Sequence, residues 1–174
     1  MSSKLKYLVA GLGILAVLLV FALIATTLKA ENEMIVTLDG YKFAANLPRD
    51  EHWTVNNEIK HDYTGDWHAD YTTYAFKNDK GDSIAIAIYQ IPESLREQSD
   101  EAILILKEEY VNTDSASHYY PYGKFANHDA RQFNNGMLSS IDFRLNNSLV
   151  ATISGIKPGM NDPLGLIKNI KVSG

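Results

Sequence analysis

Cysteine is absent from the 174 residues. Its absence excludes disulfides, iron–sulfur clusters, thiolate zinc sites, cysteine nucleophiles and a lipidated cysteine, so packing alone must hold the chain together. Basic residues are outnumbered, 16 Lys and Arg against 21 Asp and Glu, and they are scattered singly. Nucleic acid and anionic headgroups need clustered positive charge, and neither is an expected partner. There is no glycine-rich phosphate loop and no Gly-x-Ser-x-Gly elbow. No internal repeat, low-complexity tract or Gly/Ser/Pro linker divides the chain. The hydrophobic fraction of 45% and net charge of −5 are those of a folding chain, and the length suits one ordinary domain.

Charged side chains are also missing from the 22 residues between Tyr7 and Leu28, which are rich in Leu, Val, Ile and Ala. As a helix this run would be about 33 Å long, against roughly 30 Å for the hydrocarbon core of a bilayer, so it is expected to cross once. Lys4 and Lys6 precede it, and Glu31 and Glu33 follow soon after Lys29. The positive-inside rule then puts the N-terminus in the cytoplasm and the remainder outside. A cleaved signal peptide is the alternative and would make the protein secreted, although Leu28-Lys29-Ala30 is a poor small-x-small site. The expected organisation is an anchor over residues 1–29, a spacer over 30–33 and an extracytoplasmic domain over 34–174.

Within that domain, Ile35 to Leu47 reads as two strands around Asp39-Gly40, and Trp53 to Ile59 as a further short strand. Residues 61–70 read as a polar, irregular loop. Tyr71 to Lys77 and Ser83 to Ile91 flank the strongest hairpin signal, Asn78 to Asp82. Ile84, Ile86 and Ile88 alternate with Ala85, Ala87 and Tyr89, so one face is apolar and the other is small enough for the next segment to pack on. Residues 99–112 change to helical spacing, with Ser99 as cap and Ala102, Ile103, Leu106 and Tyr110 on one stripe. Ser94 and Glu97, at capping-box spacing, suggest a separate helical turn before it. Lys124 to Phe133, Met137 to Leu145 and Leu149 to Ser154 read as a three-stranded meander whose Asp142 and Arg144 mark a wet face. Asp162 is expected to cap a short final helix that begins at Pro163.

The run Gly40-Tyr41-x-Phe43-x-x-x-Leu47-Pro48, followed by Trp53, resembles the opening of PsbP-like domains. The closing stretch from Leu166 to Val172 is similar to that family's end. The resemblance implies an α+β fold, an antiparallel sheet with helices packed on its faces, here preceded by the N-terminal transmembrane helix. It also implies a non-enzymatic docking or accessory role. It brings no motif that assigns a functional residue, and fold does not carry function with it.

His61, Asp62, Asp66, His68 and Asp70 form the one cluster with metal-ligand character. Imidazole beside carboxylate suits a divalent ion, and His61, His68 and Asp70 are the candidate ligands, weighed against an ordinary solvated loop whose spacing matches no ligand motif. No catalytic residue and no cofactor is expected. Glu108 and Glu109 read as a solvated pair on different helix faces. Tyr119, Tyr120 and Tyr122, with Trp67, are candidates for contacting a partner, because loop aromatics give large contact area at small entropy cost. Asn146-Asn147-Ser148 is a glycosylation sequon at an expected hairpin tip.

The function expected from these features is that of a membrane-anchored, extracytoplasmic, non-catalytic domain binding a protein or cell-envelope partner. Two alternatives are an exported metal-dependent or hydrolytic enzyme using the 61–70 loop, and a structural envelope protein that self-associates through the apolar helix face around Leu104.

Overall fold

The computed structural model describes residues 31–64, 66–111, 119–159 and 162–174. The chain starts with a hairpin, β1 (Glu31–Leu38) and β2 (Tyr41–Pro48). Asp39 and Gly40 both take positive φ, 49° and 81°, the turn whose twist matches paired strands. The last strand, β11 (Lys171–Ser173), returns to the free side of β2 and completes a three-stranded sheet in the order β1-β2-β11.

The remaining strands are β3 (Trp53–Val55), β4 (Lys60–Thr64), β5 (Trp67–Asn78), β6 (Ser83–Gln90), β7 (Tyr119–Phe125), β8 (His128–Asn134), β9 (Leu138–Asn146) and β10 (Leu149–Ile156). They form an eight-stranded antiparallel sheet ordered β3-β5-β6-β10-β9-β8-β7, with β4 pairing the first half of β5 and β3 its end. A 3-10 turn (Glu93–Leu95) and helix α1 (Asp100–Val111) connect β6 to β7, and a one-turn helix α2 (Leu164–Ile167) follows β10.

Strand alternation decides what each face of the large sheet meets. One face carries Phe76, Ile84, Ile86, Ile88, Ile141, Phe143, Ala151 and Ile153, which pack with Val36, Leu38, Phe43, Ala45 and Leu47 of the small sheet and with Ile167 of α2. On the other face Trp67, Ile91 and Val150 pack with Ile103 and Leu104 of α1. The molecule therefore has three layers, small sheet, large sheet and helix, with a core on each side of the central layer.

Several expectations are corrected. The expected α+β class with a membrane helix gives way to a mostly antiparallel β fold: strands hold 58% of the described residues and helices 14%, in two short α-helices and one 3-10 turn. Among the described residues no helix is long and apolar enough to cross a membrane. Residues 7–28, where that helix was expected, lie outside the described residues. The 61–70 loop is instead the β4–β5 pair, and the stretch expected as one strand from Lys124 is two strands, β7 and β8, joined at Ala126 and Asn127, both at positive φ. The final helix begins without a side-chain cap, since Asp162 offers only its backbone carbonyl, to Gly165.

The supposed wet face of β9 is covered by α1, which buries Asp142 completely and Arg144 nearly so. Charge could be placed there because α1 brings the opposite charges.

Candidate functional site

Helix α1 starts as its sequence requires, with the Ser99 hydroxyl accepting from the Ala102 amide at 3.3 Å. Its buried side is mixed. Ile103 and Leu104 are apolar, but one turn on, Lys107 and Glu108 are buried as well. Lys107 Nζ donates to Asp142 Oδ2 at 2.6 Å and to Thr152 Oγ1 at 2.7 Å, and lies 4.8 Å from the centre of the Tyr89 ring. A carboxylate, a hydroxyl and an aromatic face thus replace the water the ammonium has lost. Asp142 Oδ1 is buried with no hydrogen-bond partner among the described residues. Glu108 pairs with Arg131 on β8; burial pushes its carboxyl up from the ordinary value against the pull of that guanidinium.

Arg144 closes the other end of this polar layer. It donates to Asn146 O, Gln98 O, Asp100 Oδ1, Arg96 O and Asn147 O, which ties the segment leading into α1 to the β9–β10 turn.

Helix α1 packs on β8 and β9, and among the described residues nothing covers part of the same sheet face. Among the described residues the segment after β6 does not cover Ala85 and Ala87: Lys107 and Glu108 find their partners on β8, β9 and β10 instead. There a groove of about 310 Å³ runs across β5, β6 and β10, at the small end of the roughly 300–1,000 Å³ found for ligand sites. Ala69, Ala85, Ala87 and Ser154 line it together with Tyr71, Thr73, Tyr89 and Thr152, and among the described residues Asp62 is the only charged one.

The register explains this arrangement. Tyr71 pairs with Ala87, and Ala87 with Thr152, so these side chains share a face. Burial first, then the nearby Asp142 and Asp62 carboxylates, push the Tyr89 phenol up to about 12. It stays protonated and able to donate at any physiological pH. At the groove's far side the β5 ladder is interrupted at Tyr74, with φ of 54°. Asn56 holds the distortion from the edge, its side chain donating to Thr73 O at 3.0 Å and its amide to Ala75 O at 2.9 Å.

The candidate metal ligands are partly gathered. His61 and Asp70 face each other across β4 and β5, with Nδ1 and Oδ1 2.6 Å apart. His68 pairs with Tyr63 instead, its ring edge-on at 5.1 Å. Among the described residues no group of three or more His, Cys, Asp or Glu side chains is placed to hold a metal ion. Comparison with protein families, curated proteins and solved structures finds no match. The likeness to PsbP-like domains therefore rests on the residues that suggested it.

The candidate partner aromatics are dispersed. Tyr119, Tyr120 and Tyr122 belong to edge strand β7, where Tyr119 lies against Phe133 at 5.4 Å, Tyr122 turns edge-on to Phe125, and Tyr120 is exposed. Trp67 is buried on the helix side of the sheet, stacked on Tyr110 at 6.0 Å. Leu104 is buried too, so it does not present the free apolar face that self-association was to use.

Sequence reasoning missed Lys107, Thr152 and Ser154. Lys107 follows Leu104 by three positions and precedes Tyr110 by three, the spacing of the buried stripe. Thr152 and Ser154 alternate with Ala151 and Ile153. Both periodicities were readable, but which polar residues lie near a groove depends on which strands the helix leaves bare.

Proposed function

We propose that the protein is a non-catalytic binding domain that works outside the cytoplasm and takes its ligand in the groove over β5, β6 and β10. The observation that supports this most is a concavity formed on paired strands beside a helix whose buried charges, Lys107 and Glu108, are matched within the protein. A site on such elements is preorganised. Among the described residues the lining holds hydroxyls and no histidine to activate them, which favours holding a molecule over transforming it. The extracytoplasmic placement rests on the uncharged run of residues 7–28 with Lys4 and Lys6 ahead of it.

A photo-crosslinking residue substituted for Ala87 in living cells is expected to yield a discrete adduct that the same residue at exposed Met137 does not. Equal labelling from both positions, or none from Ala87, would sink the groove as the site. Protease added to intact cells is expected to digest the domain; protection that ends only on lysis would refute the placement.

A further inference from the structure

The groove has a chemical character that narrows its ligand, and the identity of that ligand rests on the groove being the binding site. Among the described residues its lining is rich in hydroxyls, from Tyr71, Thr73, Tyr89, Thr152 and Ser154, and includes no basic residue. An anion would find no free cation there among the described residues, because the Lys107 ammonium beside Thr152 is buried and already paired with Asp142. It would also feel Asp62 at the rim. A cation fares little better. Lys107 already occupies the neighbourhood of the Tyr89 ring, 4.8 Å from its centre, and Asp62 is exposed, where solvent and salt screen its pull.

A neutral molecule carrying many hydroxyls meets neither objection. Thr152 Oγ1 accepts from the Lys107 ammonium, which polarises the hydroxyl and leaves it to act as a donor. The Tyr89 phenol is a second donor. Ser154 and Thr73 supply hydroxyls that either donate or accept. Between them, Ala85 and Ala87 leave a shallow floor against which a C–H face can rest, bordered by Tyr71 and Tyr89. We propose that the groove is a saccharide site that accepts an uncharged mono- or disaccharide unit, with Tyr71 and Tyr89 beside the sugar ring and Thr152 and Ser154 hydrogen-bonding its hydroxyls.

The test is saturation-transfer NMR on the full-length protein with chitobiose, cellobiose and maltose as separate probes, and spermidine and inorganic phosphate as charged comparisons. Transfer to the ring protons of at least one disaccharide is expected, with neither charged probe competing. Ala87→Trp fills the floor and is expected to weaken binding at least tenfold. Thr152→Val, a change of similar shape, is expected to weaken it several-fold while leaving the circular dichroism spectrum unchanged; Met137→Ala is expected to bind like the parent. No transfer to any of the three sugars, or transfer indifferent to both groove variants, overturns the proposal, as does displacement of the sugar by spermidine or phosphate. An Ala87 adduct in cells without sugar binding would leave the groove as the site and remove the saccharide; sugar binding unaffected by the groove variants would count against both.

Discussion

Arg144 has five N–H groups, and the fold uses all of them on four backbone carbonyls and Asp100. Arg144→Ala strands those carbonyls, and a loss of about 3–5 kcal/mol in urea unfolding is expected. Arg144→Lys should recover less than half, because an ammonium cannot reproduce the fork. Lys107→Met leaves Asp142 charged and buried, again at a cost of about 3–5 kcal/mol, while Lys107→Met combined with Asp142→Leu should regain most of it. A double variant no more stable than Lys107→Met alone would show that the pair is not the reason for the loss. Two carboxyls should respond to pH in opposite senses. Glu51 accepts from Lys80, Asn78 and Trp53, and these partners, Lys80 first, hold its carboxyl below the ordinary 4.5. Its contribution is present above that value and lost as pH falls through the lower, folded one, so Glu51→Gln should destabilise at neutral pH and progressively less as pH falls below 4.5. Glu108 is raised; its contribution is full below 4.5 and lost as pH rises through the folded value. The stability gap between parent and Glu108→Gln should therefore shrink from pH 4 to pH 7.

At the scale of elements, the β10–α2 contact depends on Gly155. A Cβ there would sit 2.6 Å from the Pro163 carbonyl oxygen and 3.0 Å from Ile167. Gly155→Ala should cost about 2–3 kcal/mol by overpacking, read as a lower urea midpoint, whereas Gly136, with open space around it, should show only the roughly 1–2 kcal/mol of a side chain at positive φ. The hairpins were largely legible in the sequence, because turn residues and strict alternation are local: Asp39-Gly40 and the Asn78 turn fall where expected, and Ile84, Ile86 and Ile88 face the core. Residues 61–64 and 119–123, on β4 and β7, misled for one reason. Polar and aromatic residues on edge strands lack the one-sided apolar alternation that marks a strand, since much of their surface stays wet, as at His61 and Tyr120. The groove was half legible. The small face of Ala85 and Ala87 was visible, but that α1 does not cover it follows from Asp142 and Arg131 pairing with the helix over β8 and β9.

At the scale of the whole molecule, two cores share one central sheet, and the two tryptophans report on them separately, Trp53 with the core between the sheets and Trp67 with the core under α1. Unfolding followed through Trp53→Phe and through Trp67→Phe is expected to give coincident midpoints; separated midpoints would mean that the helix layer comes away first. Spatial order and chain order diverge in both sheets. The outer side of β6 waits for β10, some sixty residues later, and the outer side of β2 waits for β11, made from the final residues. A polypeptide emerging N-terminus first, from ribosome or export channel, would hold an isoleucine-rich ribbon with an unsatisfied edge until nearly the whole length was available. Synthesis interrupted before residue 149 should leave a species that self-adheres through that ribbon, so a holding chaperone matters more to this topology than to one whose neighbours in space are neighbours in sequence.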